Sequence, residues 1–239
     1  MTILRTALLL VLISVVGTLS VESPSSANPS LERVLSRSLR EDFGKSLGAA
    51  PSPPPRPLLP LALDLIKDFE GWSATAYDDP AGYCTIGYGH LISLRPCGNT
   101  DLGDFARPLT EAQGALLLQN DTTTSRLSIQ SLVLVDLNDE QFGALTSFVF
   151  NIGKRNFAGS TMLRLLNAGE YELAAAQIRR WVRAGGQVLN GLIDRRACEL
   201  TLFRGHLTYN TGGRFDRRSC IGLGAAPDAG SEIDIDLGE

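Results

Sequence analysis

The apolar positions divide the chain into unlike stretches. Residues 7–19 form an almost unbroken apolar run behind one basic residue, Arg5, and small residues follow it. Leu31, Val34, Leu35, Leu39, Phe43 and Leu47 then recur at roughly helical spacing inside a charged segment. That pattern fits an amphipathic helix lying on a membrane or on the domain, or a partly helical spacer. The proline-rich run 49–57 follows as a semi-rigid, extended linker. Beyond it, Leu61, Leu65, Ile66 and Phe69 repeat at helical spacing, with Pro60 at the entry and Gly71 at the exit. They predict a short helix. Two strand-like runs flank the polar turn Asp78-Asp79-Pro80-Ala81-Gly82.

The rest of the pattern is helical. After a loop at 93–107, Thr110-Glu111-Ala112-Gln113 and Asn138-Asp139-Glu140-Gln141 read as capping boxes, each opening a helix. The first helix runs through Leu118 and beyond, with mixed apolar spacing over 127–137. The second presents Phe142, Leu145, Phe148 and Val149 as a buried face and ends at Asn151-Ile152-Gly153. Asn167-Ala168-Gly169 separates two further helical runs, Gly185-Gly186 breaks the second, and a last helix extends from Gly191 to about Leu207. On it Arg196 and Glu199 are three apart and pair on one face, worth about 0.2–0.5 kcal/mol if exposed. The fold class is α+β, mainly helical, with a small β-hairpin.

A chain of 239 residues with 44% hydrophobic content supports one good-sized core or two small ones. Residues 1–27 read as a secretory signal, cleaved after Ser20 or after Ala27. The apolar run is short of the roughly 20 residues that span a bilayer, so a membrane-tethered form is the alternative. Four cysteines, Cys84, Cys97, Cys198 and Cys220, fit an oxidising compartment and two disulfides. Proximity favours Cys84–Cys97 and Cys198–Cys220 among the three pairings. With two histidines and no Cys-x2-Cys, neither a zinc site nor a cofactor is expected, and no Cys–His pair marks Cys84 as a nucleophile.

The formal net charge is −4, and five acidic residues lie after Arg218: Asp228, Glu232, Asp234, Asp236 and Glu239. Taking those five away leaves the rest at about +1. Clustered arginines (Arg179, Arg180, Arg183, Arg195, Arg196, Arg214, Arg217 and Arg218) then make part of the C-terminal lobe locally basic, suited to an anionic cell wall. No nucleic-acid motif accompanies the patch, and nucleic acid is not an expected partner. Residues 213–239 are expected to be an acidic, disordered tail.

The chemistry concentrates in residues 69–90, FEGWSATAYDDPAGYCTIGYGH. Glu70 falls at a helix C-terminus, where the macrodipole favours a protonated carboxyl, and apolar neighbours push the same way. Asp79 falls on a turn open to water and is expected to stay ionised. Thr85 lies in the following strand and faces opposite to Cys84. Two carboxyl groups in unlike environments are what glycoside hydrolysis requires.

Glu70-Gly71, Asp79 and the run Thr85-Ile86-Gly87-Tyr88-Gly89-His90 resemble the active-site signature of phage-type lysozymes (endolysins), glycoside hydrolase family 24. Asn151-Ile152-Gly153 with Phe157 and Ser160-Thr161, and the Gly-Leu-x-x-Arg-Arg-x-x-Glu pattern from Gly191 to Glu199, are similar to later helices of the same family. The resemblance implies a lysozyme-like fold, a small hairpin lobe and a helical lobe with a cleft between, over a catalytic domain at 58–212. It implies Glu70 as general acid, with Asp79 and Thr85 holding the attacking water for inversion, the carboxyl groups roughly 6.5–9.5 Å apart. Asn151, Trp181 and His90 become candidate substrate contacts. Asn151 could equally cap its helix, and a large aromatic at helical spacing such as Trp181 is more often core.

The implied partner is peptidoglycan, its β-1,4 bond between N-acetylmuramic acid and N-acetylglucosamine the target. The implied protein is a secreted or periplasmic monomer, with transient membrane contact through segment 28–57 if that segment is amphipathic. A wall-binding protein on the same fold and a lytic transglycosylase are the rival readings. The intact Glu70–Asp79–Thr85 set argues against both.

Overall fold

Pro60 starts the first helix and Gly71 stops it. Helix α1, Pro60–Glu70, has no orphan N–H to lose at its proline, and Gly71 turns out at φ 75° while its N–H closes on Lys67 O. The computed structural model describes residues 53–221 and 231–239. The apolar run at 7–19 and the amphipathic segment at 31–47 lie outside the described residues. Among those described, no helix is long and apolar enough to cross a membrane.

A three-stranded antiparallel sheet follows: β1 Ser73–Asp78, β2 Cys84–Gly87 and β3 His90–Ser93. Tyr77 faces Thr85 across β1–β2, and Thr85 faces Leu91 across β2–β3. The β2–β3 connection is tight because Gly87 and Gly89 both take positive φ, at 66° and 87°. The Cys84–Cys97 disulfide staples the loop after the sheet.

Helices make up the remainder: α2 Glu111–Asp121, α3 Thr123–Leu132, α4 Asp139–Ile152, α5 Lys154–Gly159, α6 Thr161–Asn167, α7 Tyr171–Ile178, α8 Asn190–Phe203 and α9 Arg218–Ile221. A two-stranded ribbon, β4 Arg183–Ala184 with β5 Gln187–Val188, sits between α7 and α8. Both capping boxes form as the sequence predicts, Thr110 with Gln113 and Asn138 with Gln141. The continuous helix expected after Thr110 is broken at Thr122. There the α3 residue Arg126 is buried and donates to Gln119 O, Thr123 Oγ1 and Arg56 O.

Helix α4 is apolar nearly all round, because it is the central rod. Phe142, Ala144, Leu145, Phe148, Val149 and Ile152 are buried against α1, α3 and α8. A smaller cluster, Ile66, Tyr88, Leu118 and Phe150 with Trp72 packed on it, joins the sheet to α1 and α2. Helix α1 contributes to both clusters, Leu61, Ala62 and Leu65 to one and Ile66 to the other. Its C-terminal residue is Glu70.

Two expectations are corrected at the borders. Arg56, on the linker side of the expected boundary at 58, belongs to the packed unit. It donates to Leu137 O at 2.9 Å, pairs with Asp139 at 2.6 Å and lies over the Phe142 ring. Residues 231–239 are not a disordered tail. Asp234 bridges Arg183 in parallel, Ile233 and Ile235 are buried in the main core, and Glu239 pairs with Arg180 at 3.0 Å. Alternating isoleucines between the acids give the segment an apolar edge that a count of charges hides.

At the α1–α4 crossing, a Cβ at Gly143 would lie 2.7 Å from Ala62 Cβ. Helix propensity alone would favour Gly143→Ala by about 1 kcal/mol, but overpacking against a rigid methyl costs about 1–3 kcal/mol. Gly143→Ala should therefore lower the melting temperature, and adding Ala62→Gly should restore it. Thermal denaturation of the two variants checks this.

Candidate active site

Glu70 is held by a buried charge. Arg195 Nη1 on α8 reaches Glu70 Oε1 at 2.8 Å, with the Arg195 side chain 1% exposed and the Glu70 side chain 21%. On its other side the backbone of β2–β3 closes in, since a Cβ at Gly89 would lie 4.0 Å from Glu70 Oε2. The surroundings of Glu70 are thus more polar than its neighbours Phe69 and Trp72 suggest.

Arg195 belongs to a set of four charges. Its Nε donates to Glu199 Oε1 at 3.1 Å, and its Nη2 to Ser147 O at 3.3 Å. Ser147 Oγ donates to the same Glu199 oxygen at 2.7 Å. Arg196 pairs with the other Glu199 oxygen, donates to Trp181 O at 3.0 Å and reaches Asn151 Oδ1. Burial alone would depress the Arg195 guanidinium, but Glu70 and Glu199 outweigh it and raise it above its ordinary value. Arg196 has less compensation. Burial, with Arg195 beside it, lowers it to about 10 despite Glu199.

The water side of the site is built on the sheet. Asp79 Oδ1 accepts from Ala81 N–H at 2.8 Å and Tyr83 N–H at 2.9 Å, which fixes the carboxylate on its turn. Thr85 is 4% exposed and donates its hydroxyl to Tyr83 O at 3.2 Å. Tyr77 stands opposite Thr85 across β1–β2. Burial first, then the charges of Asp79 and Glu70, raises its phenol above the ordinary value. The sequence reading did not single out Tyr77.

The other candidates are placed differently. Trp181 is fully buried and packs edge-on to Phe148, ring centroids 5.8 Å apart, so it is core and offers no face to a sugar. Asn151 does not cap α4, because Gly153 N–H closes on Val149 O; its side chain is drawn into the ion set through Arg196. His90 is half-buried, with Nδ1 3.0 Å from Asp121 and the ring 5.4 Å from that of Phe105. The hydrogen bond to Asp121 raises its pKa, burial opposing. Cys198–Cys220 forms as well as Cys84–Cys97. Asp78 lies within ligand distance of Cys84 and Cys97, but those sulfurs are joined to each other and Asp78 accepts from Cys97 N–H at 2.6 Å.

The phage lysozyme family profile matches residues 67–199. The chain is 38% identical to the endolysin of Bacillus phage B103 over 59% of its own length and 51% of that protein's. It is 40% identical to the endolysin of Salmonella phage P22, over 58% of this chain and 91% of the relative. Among solved structures it is similar to the muramidase domain of SpmX from Asticaccaulis excentricus. There the TM-score is 0.54 and the identity 36%, covering 62% of this chain and 97% of that one. The chain spans about half the length of the first curated relatives it matches. The fold is lysozyme-like.

Glu199→Ala would leave two buried guanidinium groups facing each other. It should cost about 3–5 kcal/mol, read from urea denaturation. The His90–Asp121 pair gives a pH signature. A histidine raised in the folded state adds stability below its unfolded value of about 6.5, and the gain is lost as pH rises through the folded value. The stability gap between the natural chain and Asp121→Asn should be widest between about pH 5 and 6.5 and should close above, by denaturant unfolding at each pH.

Proposed function

The chain belongs to the phage lysozyme family, and on that premise we propose that it is a peptidoglycan hydrolase. Its target is the β-1,4 bond between N-acetylmuramic acid and N-acetylglucosamine, cleaved with inversion. The observation that supports the reading is Glu70 at the end of α1, braced by Arg195, beside a sheet whose turn fixes Asp79 through two main-chain N–H groups and whose β2 carries the buried Thr85. A proton donor and a water-binding pair are what an inverting glycosidase requires.

The roles follow from the hydrogen bonds. Glu70, braced by Arg195, donates its proton to the glycosidic oxygen as the bond to the anomeric carbon breaks. The Thr85 hydroxyl already gives its hydrogen to Tyr83 O, so its lone pairs are the groups left to orient a water. Asp79, fixed through Oδ1 by two main-chain N–H groups, accepts a proton from that water as its oxygen bonds the anomeric carbon. Water is consumed and a reducing end appears. Proton exchange with solvent then resets both carboxyl groups.

The two disulfides support an oxidising location, secreted or periplasmic. Peptidoglycan is the proposed partner, and a monomer is the proposed form.

Glu70→Gln keeps the shape of the side chain and an oxygen for Arg195 but carries no acidic proton. It should leave the melting curve of the full chain nearly unchanged and lower the rate of turbidity loss of purified peptidoglycan by roughly 10²–10⁴-fold. Lysis by Glu70→Gln would sink the assignment. Release of 1,6-anhydro ends by the natural chain in place of reducing ends would replace hydrolysis by transglycosylation.

A further inference from the structure

Arg217 lies beyond the segment matched to the family, yet it reaches the end of the helix that carries Glu70. The carbonyls in the last turn of α1 have no partner within the helix. Lys67 O takes the Gly71 N–H at 3.2 Å, and Asp68 O takes Arg217 Nη2 at 2.9 Å. Arg217 Nε pairs with Asp68 Oδ2 at 2.7 Å. The same guanidinium lies over the Phe69 ring, 4.7 Å from its centroid, while Arg195 stands 5.8 Å from that centroid. Residues 68 and 69, immediately before Glu70, are thus gripped by two arginines.

A second contact lies one turn earlier. Tyr209 donates its hydroxyl to Asp64 Oδ2 at 2.9 Å, and Asp64 and Asp68 are four apart on one edge of α1. Burial first, then Asp64, pushes the Tyr209 phenol up to about 12, so it keeps its proton throughout the neutral range. The segment bearing both residues is anchored to the core. Leu207 and Cys220 are buried, Phe215 packs on the main cluster, and Cys198–Cys220 ties α9 to α8. Cys220 N–H and Ile221 N–H both close on Arg217 O, so the disulfide fixes the backbone from which Arg217 extends.

We propose that residues 207–221 form a clasp on α1, in which Arg217 is a positioning residue for Glu70; the proposal rests on the lysozyme reading above. The side chains of Arg217 and Asp68 are 40% and 35% exposed, so their ion pair alone contributes little. The weight falls on the carbonyl cap, on a cation at the negative end of the helix dipole and on the ring contact. These hold the final turn of α1, and with it the direction in which Glu70 leaves the helix. Arg195 meets the Glu70 carboxylate itself; Arg217 meets Asp68 and the Phe69 ring behind it.

The test compares Arg217→Met, which keeps the stem over Phe69 but removes every donor, with Arg217→Lys, in the full oxidised chain. Initial rates are taken across a range of purified peptidoglycan concentrations, with thermal melting and amide hydrogen exchange on the same samples. Expected for Arg217→Met are a maximal rate lower by roughly 10-fold, an unchanged half-saturating concentration and faster exchange at the Glu70 and Gly71 amides. Arg217→Lys should recover part of the rate. A natural maximal rate in Arg217→Met, or a loss accounted for by a smaller folded fraction, overturns the positioning role. If the natural chain does not lyse peptidoglycan, the lysozyme reading falls, and exchange at Glu70 and Gly71 decides the clasp by itself. Faster exchange in Arg217→Met then upholds it, and unchanged exchange overturns it.

Discussion

The Glu199 carboxylate, fully buried between Arg195 and Arg196, is the interaction on which the rest of the structure turns. Removing three charges from water costs several kcal/mol per ion, and attraction offsets that only where the geometry is good and the remaining hydrogen-bonding atoms are matched. Here they largely are. Both Glu199 oxygens are taken, and the guanidinium groups reach Ser147 O, Trp181 O, Asn151 and Glu70. Those partners come from α4, the segment before β4 and the end of α1, all tied to α8. An apolar cluster of equal volume would fill the space without fixing a direction. The ion set fixes one, and it points at Glu70.

The site was legible where it is local. The candidates Glu70, Asp79 and Thr85 lie within sixteen residues of one helix–hairpin unit, so the resemblance to a family signature could single them out from a short stretch. The helix caps and the disulfides were legible for the same reason, short separations and strong local rules. What was not legible depends on burial. The Arg196–Glu199 spacing shows a pair on one helix face but not that the face is inside the core. Periodicity favours a core reading of Trp181 over a stacking platform, and its burial against Phe148 decides for core. Arg217 is further out of reach, because its partner Asp68 is 149 residues away.

The two clusters explain why the acid stands where it does. Helix α1 packs one part of its surface into the large helical core and Ile66 into the small cluster beneath the sheet. Its last residue emerges where the two meet. The sheet can come close only because of a missing side chain: a Cβ at Gly114 on α2 would lie 2.1 Å from Trp72. That near-contact lets Trp72, two residues after Glu70, bury itself against α2. Tyr88 then packs on it with ring centroids 4.8 Å apart and the planes tilted by 45°.

The last residues of the chain bear on how the ribbon between α7 and α8 avoids its neighbours in solution. A two-stranded ribbon has two open edges, each a template for another molecule's backbone. On the β4 side that edge is occupied from within. Arg183 gives its N–H to Ile233 O and takes the Ile235 N–H, while the Asp234 and Asp236 carboxylates cover the Gly186 and Gly185 amides at the turn. Charge at an edge discourages further strand addition, and the isoleucines on either side of Asp234 lock the strand down. Residues 231–239 thereby occupy the backbone edge that β4 would otherwise leave open. A chain trimmed back to the family boundary would bare that edge and the apolar seats of Ile233 and Ile235 together.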